Sequence, residues 1–374
     1  MSLTSVLLLL GGFVLLVAGG EALVRGAASL ARAVGMSALV VGLTVVSFAT
    51  SSPELAVSAG AALSGSAGLA VGNVVGSNIA NILLVLGISA LVVPLAVTSR
   101  LVRTDIPVMV GMSVLALLLA LDGTLSTLDG VLLLGVLVTY LVVVTVRARR
   151  AAPSRSHPPE SRTGAPGTSA PRSRRRATRA RSIALDIALV AAGVALLVTG
   201  AQLLVDGATQ IATAFGVSDL VIGLTVVAVG TSLPELATSI IAVTRGERDL
   251  AVGNIVGSNI FNIGAVLGLT AIVAPGGVGV DPAAVRFDLP LMVAVAVALV
   301  PVALTGQAIV RWEGALFVGL YVAYLAFVLL AATDHEALQP FSAAFFGFVL
   351  PVTGVWLVAL AAYELGLRRG RRQV

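Results

Sequence analysis

Residues 39–87 read LVVGLTVVSFATSSPELAVSAGAALSGSAGLAVGNVVGSNIANILLVLG, and residues 220–268 read LVIGLTVVAVGTSLPELATSIIAVTRGERDLAVGNIVGSNIFNIGAVLG. The two stretches align without a gap at an offset of 181 positions and share 31 of 49 residues. Each holds one glutamate, Glu54 or Glu235, within sequence otherwise apolar enough to lie in a membrane. A carboxylate at mid-span costs on the order of a few kcal/mol unless a partner, a water-filled cavity or a bound cation compensates it. Two copies of that placement point to one shared cation site.

The flanking sequence extends the duplication. Residues 12–37 match residues 193–218 at 13 of 26 positions, including Gly19 with Gly200 and Gly35 with Gly216. The N-terminal apolar stretch is therefore part of the fold rather than a cleaved signal, and it lacks the basic start of one. The chain is 58% hydrophobic and 11% charged, with a mean hydropathy of +1.06. These values exclude a large water-soluble domain. No cysteine is present, which excludes disulfides and thiolate chemistry.

Apolar stretches long enough to span, at ~20 residues each, fall near 5–24, 38–63, 70–94, 104–122 and 128–146, then 183–205, 219–244, 250–273, 287–305, 312–332 and 342–366. The expected fold is an all-α polytopic membrane protein of about eleven helices. Residues 1–147 form a first repeat of five, 182–332 a second repeat of five, and 333–374 an additional C-terminal helix with a basic tail. Residues 148–181 read as a linker rich in Arg, Pro and Ser, without the bulky apolar residues of a core. All 23 basic residues are Arg, a hint of a prokaryotic source.

Arginine placement tests the helix count, because cytoplasmic connections carry the excess of basic residues. Arg25 and Arg32, Arg100 and Arg103, the 148–181 segment, Arg245 and Arg248, Arg311 and the Arg368–Arg372 tail occupy every second connection. The intervening ones carry Asp122, Asp129, Asp334 and Glu336, with Arg286 their only basic residue. The expected orientation in the plasma membrane is N-terminus outside and C-terminus cytoplasmic. Five crossings per repeat place the second repeat upside down relative to the first, the plan of many secondary transporters. The basic linker would brush anionic lipid, and nucleic-acid binding is not expected.

The site chemistry follows from spacing. Ser47, Thr50, Ser51, Glu54 and Ser58 recur at helical intervals, and Thr231, Ser232, Glu235 and Ser239 repeat them. Pro53 and Pro234 precede the glutamates, so carbonyls near 47–50 and 228–231 should lose their helical donors. Asn73, Ser77 and Asn81 form a second stripe, answered by Asn254, Ser258 and Asn262, with Gly72, Gly76, Gly253 and Gly257 permitting close helix approach. Asn73, Asn78, Asn254 and Asn259 can equally serve packing or support the helix break. An all-oxygen set points away from zinc and copper and towards Ca²⁺, Mg²⁺, Mn²⁺ or Na⁺.

TSSPE with GNVVGSN, and GTSLPE with GNIVGSN, closely resemble the two alpha repeats of the cation/calcium exchanger superfamily, and most nearly its prokaryotic sodium/calcium exchanger-like branch. The resemblance implies a transporter, not an enzyme, with Ca²⁺ and Na⁺ as substrates and no cofactor. Glu54, Glu235, Thr50 and Thr231 would form the Ca²⁺ site. Ser51, Ser77, Ser232 and Ser258, with the carbonyls of Ser47 and Ala228, would hold Na⁺, and Asn81 and Asn262 would line the centre. Some relatives that require K⁺ carry Asp where this chain has Asn262, so K⁺-independent and electrogenic exchange is expected. In that reading the first and sixth helices slide during alternating access, eased by Gly19, Gly20, Gly26 and Gly35 and by Gly200, Gly207 and Gly216. The alternatives are an H⁺/Ca²⁺ or other divalent antiporter and, from another class, a cation channel. Oligomeric state is not readable from the sequence.

Overall fold

The computed structural model describes residues 3–65, 67–151, 172–222, 225–226 and 228–370. Among these residues, nine helices are long and apolar enough to cross a membrane. A tenth candidate is the pair Ala38–Thr50 and Ser52–Leu63, bent by 42° at its break. The expected span 219–244 appears as the short helices Asp219–Ile222, Ala228–Thr231 and Leu233–Thr244. Each of the eleven expected stretches is thus helical over most of its described residues, and they are referred to below by their order in the chain.

The first span, Leu3–Val34, lies against the sixth, Ile183–Ala214. A Cβ on Gly12 would meet the Gly200 carbonyl at 2.7 Å, and one on Gly19 would meet Leu197 N at 2.7 Å and Gly193 O at 2.8 Å. Further along, Gly26 meets Asp186 and Gly207 meets Ser5. Rising numbers on one span meet falling numbers on the other, so the two run antiparallel. Gly12 and Gly19 are the repeat mates of Gly193 and Gly200, so each contact is made twice with the partners exchanged. That reciprocity is the mark of a two-fold axis, here relating two halves of one chain.

The same exchange recurs elsewhere. Leu95–Ala96 pairs antiparallel with Ala308–Ile309, and Thr124–Leu125 with Val278–Gly279. The connection after the third span therefore meets the one after the ninth, and the connection after the fourth meets the one after the eighth, as inverted five-helix repeats require. Gly87 against Gly314 is likewise mirrored by Gly130 against Gly268. In lipid, helices associate through close packing rather than a hydrophobic driving force, which is why small residues mark these crossings.

Two sequence expectations are corrected. Gly35 and Gly216 do not lie in the sliding interface: they take φ of 75° and 77° and end their helices, with Met36 N bonding Ala31 O and Val217 N bonding Ala212 O. A left-handed residue is what this closure of a helix C-terminus needs, and glycine supplies it without a Cβ clash. The 148–181 segment is not linker throughout, because the fifth span's helix continues to Ala151 and the sixth begins at Arg172. Arg and Ala are good helix formers that extend a span into water; residues 152–171 lie outside the described residues. The eleventh span, Leu338–Leu360, packs on the ninth and tenth through Phe346, which meets Phe287 and Phe327 edge-on at 5.6 and 5.3 Å.

Replacing Gly19 by Val forces a side chain into the sixth span's backbone. The expected outcome is a loss of about 1–3 kcal/mol, read as a lower thermal midpoint in detergent. Gly111→Ala, with nothing within 4 Å of its Cβ position, should leave the midpoint unchanged.

Candidate cation site

The second span breaks at Ser51, whose φ of −83° and ψ of 1° depart from the helix before Ser52–Leu63 begins. Pro53 sits in the first turn of the C-terminal segment, where its missing N–H costs least, and Glu54 follows in that same turn. The seventh span repeats the arrangement, with Ser232 at φ −90° and ψ 3°, Pro234 in the first turn of Leu233–Thr244 and Glu235 after it. Both carboxylates therefore sit at the N-terminal end of a helix, where the dipole favours negative charge. Asn73 braces the first break by donating to the Glu54 carbonyl at 3.3 Å and to Ser58 Oγ at 2.9 Å.

The N-terminal half of the second span packs on the eighth, Arg248–Val273. Glycines make this possible: a Cβ on Gly42 would strike the Leu250 carbonyl at 2.6 Å, and one on Gly257 would strike Ser47 Oγ at 2.2 Å. Ser47 Oγ donates to the carbonyls of Gly42 at 2.7 Å and Asn254 at 3.0 Å. Thr50 Oγ1 reaches Asn254 Oδ1 at 3.1 Å and Ser258 Oγ at 3.3 Å. Residues more than 200 positions apart thus close one wall. Opposite, Asn262 donates to Asn78 Oδ1 at 3.1 Å and Asn78 to the Asn259 carbonyl at 3.3 Å. Asn81 and Asn262 each open a wide π-helical turn, Asn81–Leu86 and Asn262–Leu267, a feature frequent at functional positions.

Glu54 and Glu235 are both 0% exposed. Among the described residues the Glu54 oxygens have no hydrogen-bond partner, the Glu235 oxygens have only the loose approach of the Thr50 and Ser258 hydroxyls, and Ser51 Oγ, Ser77 Oγ, Ser232 Oγ, Asn262 Oδ1 and both polar atoms of Asn81 are likewise unpartnered. Glu54 senses the charge of Glu235, and Thr50 and Ser258 flank the Glu235 carboxyl. Buried polar atoms are normally satisfied, so this many orphaned oxygens around two carboxylates fits a site whose partner is a hard cation. A cavity of about 170 Å³ lies against both breaks, lined by Pro53, Gln202, Asp206, Gly230, Thr231 and Pro234.

Of the residues singled out from the sequence, Glu54, Glu235, Thr50 and Ser258 lie together, Ser51, Ser77, Ser232, Asn81 and Asn262 are buried, and Thr231 lines the adjoining cavity. Ala228 opens the short helix before the second break. The Ser47 carbonyl was expected to be free and is not, since it accepts from the Ser51 N–H at 2.9 Å. A proline deprives the carbonyl four residues before it, which is Ala49 rather than Ser47. Ser47 contributes instead a hydroxyl that staples the second span to the eighth. Spacing alone did not reveal that Asn254 serves two partners at once.

A family model described as sodium/calcium exchanger protein matches residues 4–146 and 185–330. The chain belongs to the sodium/calcium exchanger family. It is 33% identical over 305 residues to the sodium/calcium exchanger MaX1 of Methanosarcina acetivorans, covering 75% of this chain and 86% of that one. It is 40% identical over 254 residues to the inner membrane protein YrbG of Escherichia coli (strain K12), covering 68% and 74%. Its fold matches the solved sodium-calcium exchanger NCX_Mj soaked with Na⁺ and Ca²⁺, with a TM-score of 0.72 and 32% identity over 87% of this chain and 99% of that one. As a member of this family the chain is a multi-pass membrane antiporter and not an enzyme.

A second duplicated motif also belongs to the exchanger fold and escapes an alignment held at 181. VRTDIP at 102–107 and VRFDLP at 285–290 match at an offset of 183, and Tyr140 matches Tyr324 at 184. Tyr140 donates to Asp105 Oδ1 at 3.0 Å, and Asp288 faces Tyr324 in the same way.

If the orphaned oxygens hold Ca²⁺, the ion stabilises the folded protein by mass action, by about 2.7 kcal/mol at one hundred times its Kd. Ca²⁺ should raise the thermal midpoint of the wild-type chain. Glu54→Gln and Glu235→Gln should each abolish the rise while folding normally without Ca²⁺.

Proposed function

We propose that the chain exchanges Na⁺ for Ca²⁺ by alternating access, with both ions competing for the pocket between the second, third, seventh and eighth spans. The observation that carries this reading is the pair of fully buried carboxylates with no ion-pair partner among the described residues. Glu54 and Glu235, with oxygens of Thr50 and Thr231, serve as Ca²⁺ ligands. Ser51, Ser77, Ser232 and Ser258 serve Na⁺ around them, with the Ala228 carbonyl. Substrate names of the relatives support the assignment, since MaX1 is a sodium/calcium exchanger.

Coupling follows from desolvation. An ionised carboxylate closed into a low-dielectric pocket without a cation is prohibitively costly, so the carrier reorients only when loaded with one substrate or the other. The two glutamates bring a charge of minus two. One Ca²⁺ neutralises it, whereas three Na⁺ leave one surplus positive charge, so the cycle moves net charge. Asn262 stands where an acid would add a third negative charge, which makes exchange independent of K⁺. The arginine pattern sets the N-terminus outside and the C-terminus in the cytoplasm.

The test is ⁴⁵Ca²⁺ uptake into proteoliposomes loaded with Na⁺ and diluted into choline. Uptake should require internal Na⁺, vanish in Glu54→Gln and be unaffected by K⁺. Uptake driven by a pH gradient without Na⁺ would move the protein to H⁺ coupling. At two clamped voltages the rates should differ, and equal rates would refute electrogenic exchange.

A further inference from the structure

The fourth and fifth spans, Leu101–Asp122 and Thr127–Arg150, are consecutive yet scarcely touch, because the fourth packs on the ninth and the fifth on the eighth. A cavity of about 970 Å³ opens between them, its wall formed by Val108, Val131, Val136 and Val143 and its mouth by Arg100 and Arg147. Arg100 is held there by Asp105, at 3.9 Å from its Nε, and Asp105 in turn accepts from Tyr140. The two guanidinium groups stand at the end where the fourth span begins and the fifth finishes. That is the cytoplasmic end in the orientation proposed above.

The repeat supplies the comparison. The mates of Val108 and Val136 are Leu291 and Leu320 on the ninth and tenth spans, and both line a second, apolar cavity together with Leu350 and Leu357 of the eleventh. Phe327, the mate of Val143, is covered there by Phe346. The second repeat's groove is thus closed by a rod of apolar side chains. By the same offsets, Ala283 and Ala331 stand where the first repeat has Arg100 and Arg147. The groove that keeps its arginines is the one that no segment among the described residues fills.

We infer that the groove between the fourth and fifth spans binds one anionic phospholipid, with an acyl chain along the valines and the headgroup phosphate on Arg100 and Arg147. Guanidinium groups match phosphate oxygens in planar, charge-assisted pairs, and an acyl chain has the rod shape that the eleventh span presents in the mate groove. A second copy's eleventh span fits this groove poorly, because its C-terminal end carries Arg368, Arg369, Arg371 and Arg372 and brings like charge to the mouth.

Because the chain has no cysteine, Val136→Cys can carry a single fluorophore inside the groove in the full-length protein. Reconstitution into phosphatidylcholine vesicles containing either brominated phosphatidylglycerol or brominated phosphatidylcholine, at equal fractions, reads the occupant by quenching. The anionic lipid should be preferred, by about fivefold per arginine, and Arg100→Gln with Arg147→Gln should bring the two lipids to parity. A label at Val355, 71% exposed on the eleventh span, should show no preference. Equal quenching at Val136 in the arginine-bearing protein overturns the proposal even if the double variant does not fold. So does a Val136 label that neither lipid quenches, the result expected of a second copy seated in the groove. A preference that dissolved inorganic phosphate abolishes overturns it as well, since it would mark an ion site without the lipid.

Discussion

Everything in this molecule is organised around two carboxylates, Glu54 and Glu235, buried without an opposing charge from the protein. In a soluble core such a pair would be neutralised or removed by selection, because the desolvation of an isolated charge exceeds what neighbouring dipoles return. Here the surroundings leave that deficit in place, as the proposed exchange of cations requires. Both acids begin helix segments, so the positive end of the dipole offsets part of the cost. The nearest side chains supply hydroxyl and amide oxygens, and no described arginine approaches close enough to satisfy the acids permanently.

The two-fold repetition converts that deficit into a single site. One broken helix exposes one carboxylate; its inverted copy brings the second to the same place, with matching serines and asparagines. Reciprocal contacts such as Gly12 with Gly200 and Gly19 with Gly193 hold the halves together. Glycine is used where backbones must meet, because packing and hydrogen bonding must do in lipid what the hydrophobic effect does in water. Ser47 and Thr50 then lock the N-terminal half of the second span to Asn254. The same hydroxyl stripe thus supplies both the proposed ion ligands and the seal beside them.

Symmetry holds in the core and lapses at the periphery. The Asp105–Tyr140 pair is echoed by Asp288 and Tyr324, but the grooves beside them differ. One is covered by the eleventh span through the Phe287, Phe327 and Phe346 cluster, and the other is open, with Arg100 and Arg147 at one end. Duplicated helices that share a transport site must keep their inner faces alike. Their lipid-facing surfaces carry no such constraint and can acquire separate partners.

The sequence alone determined the membrane class, the duplication and the presence of one acid in each copy of the duplicated stretch. Each of these is written in local pattern: hydropathy over ~20 residues, arginine in alternate connections, and an ungapped 49-residue match. The tertiary structure decided what depends on neighbours far apart in the chain. It bonded Ser47 and Thr50 to Asn254, assigned Gly35 and Gly216 to helix ends rather than to a sliding face, and found a donor for the Ser47 carbonyl. It also revealed the Asp–Tyr pairs, whose offset drifts from 181 to 183 and 184 as the connections lengthen. Periodicity tells which side of a helix is polar. Which residue meets that side is fixed only when helices some 200 positions apart pack, because the distance of closest approach is set by both surfaces at once.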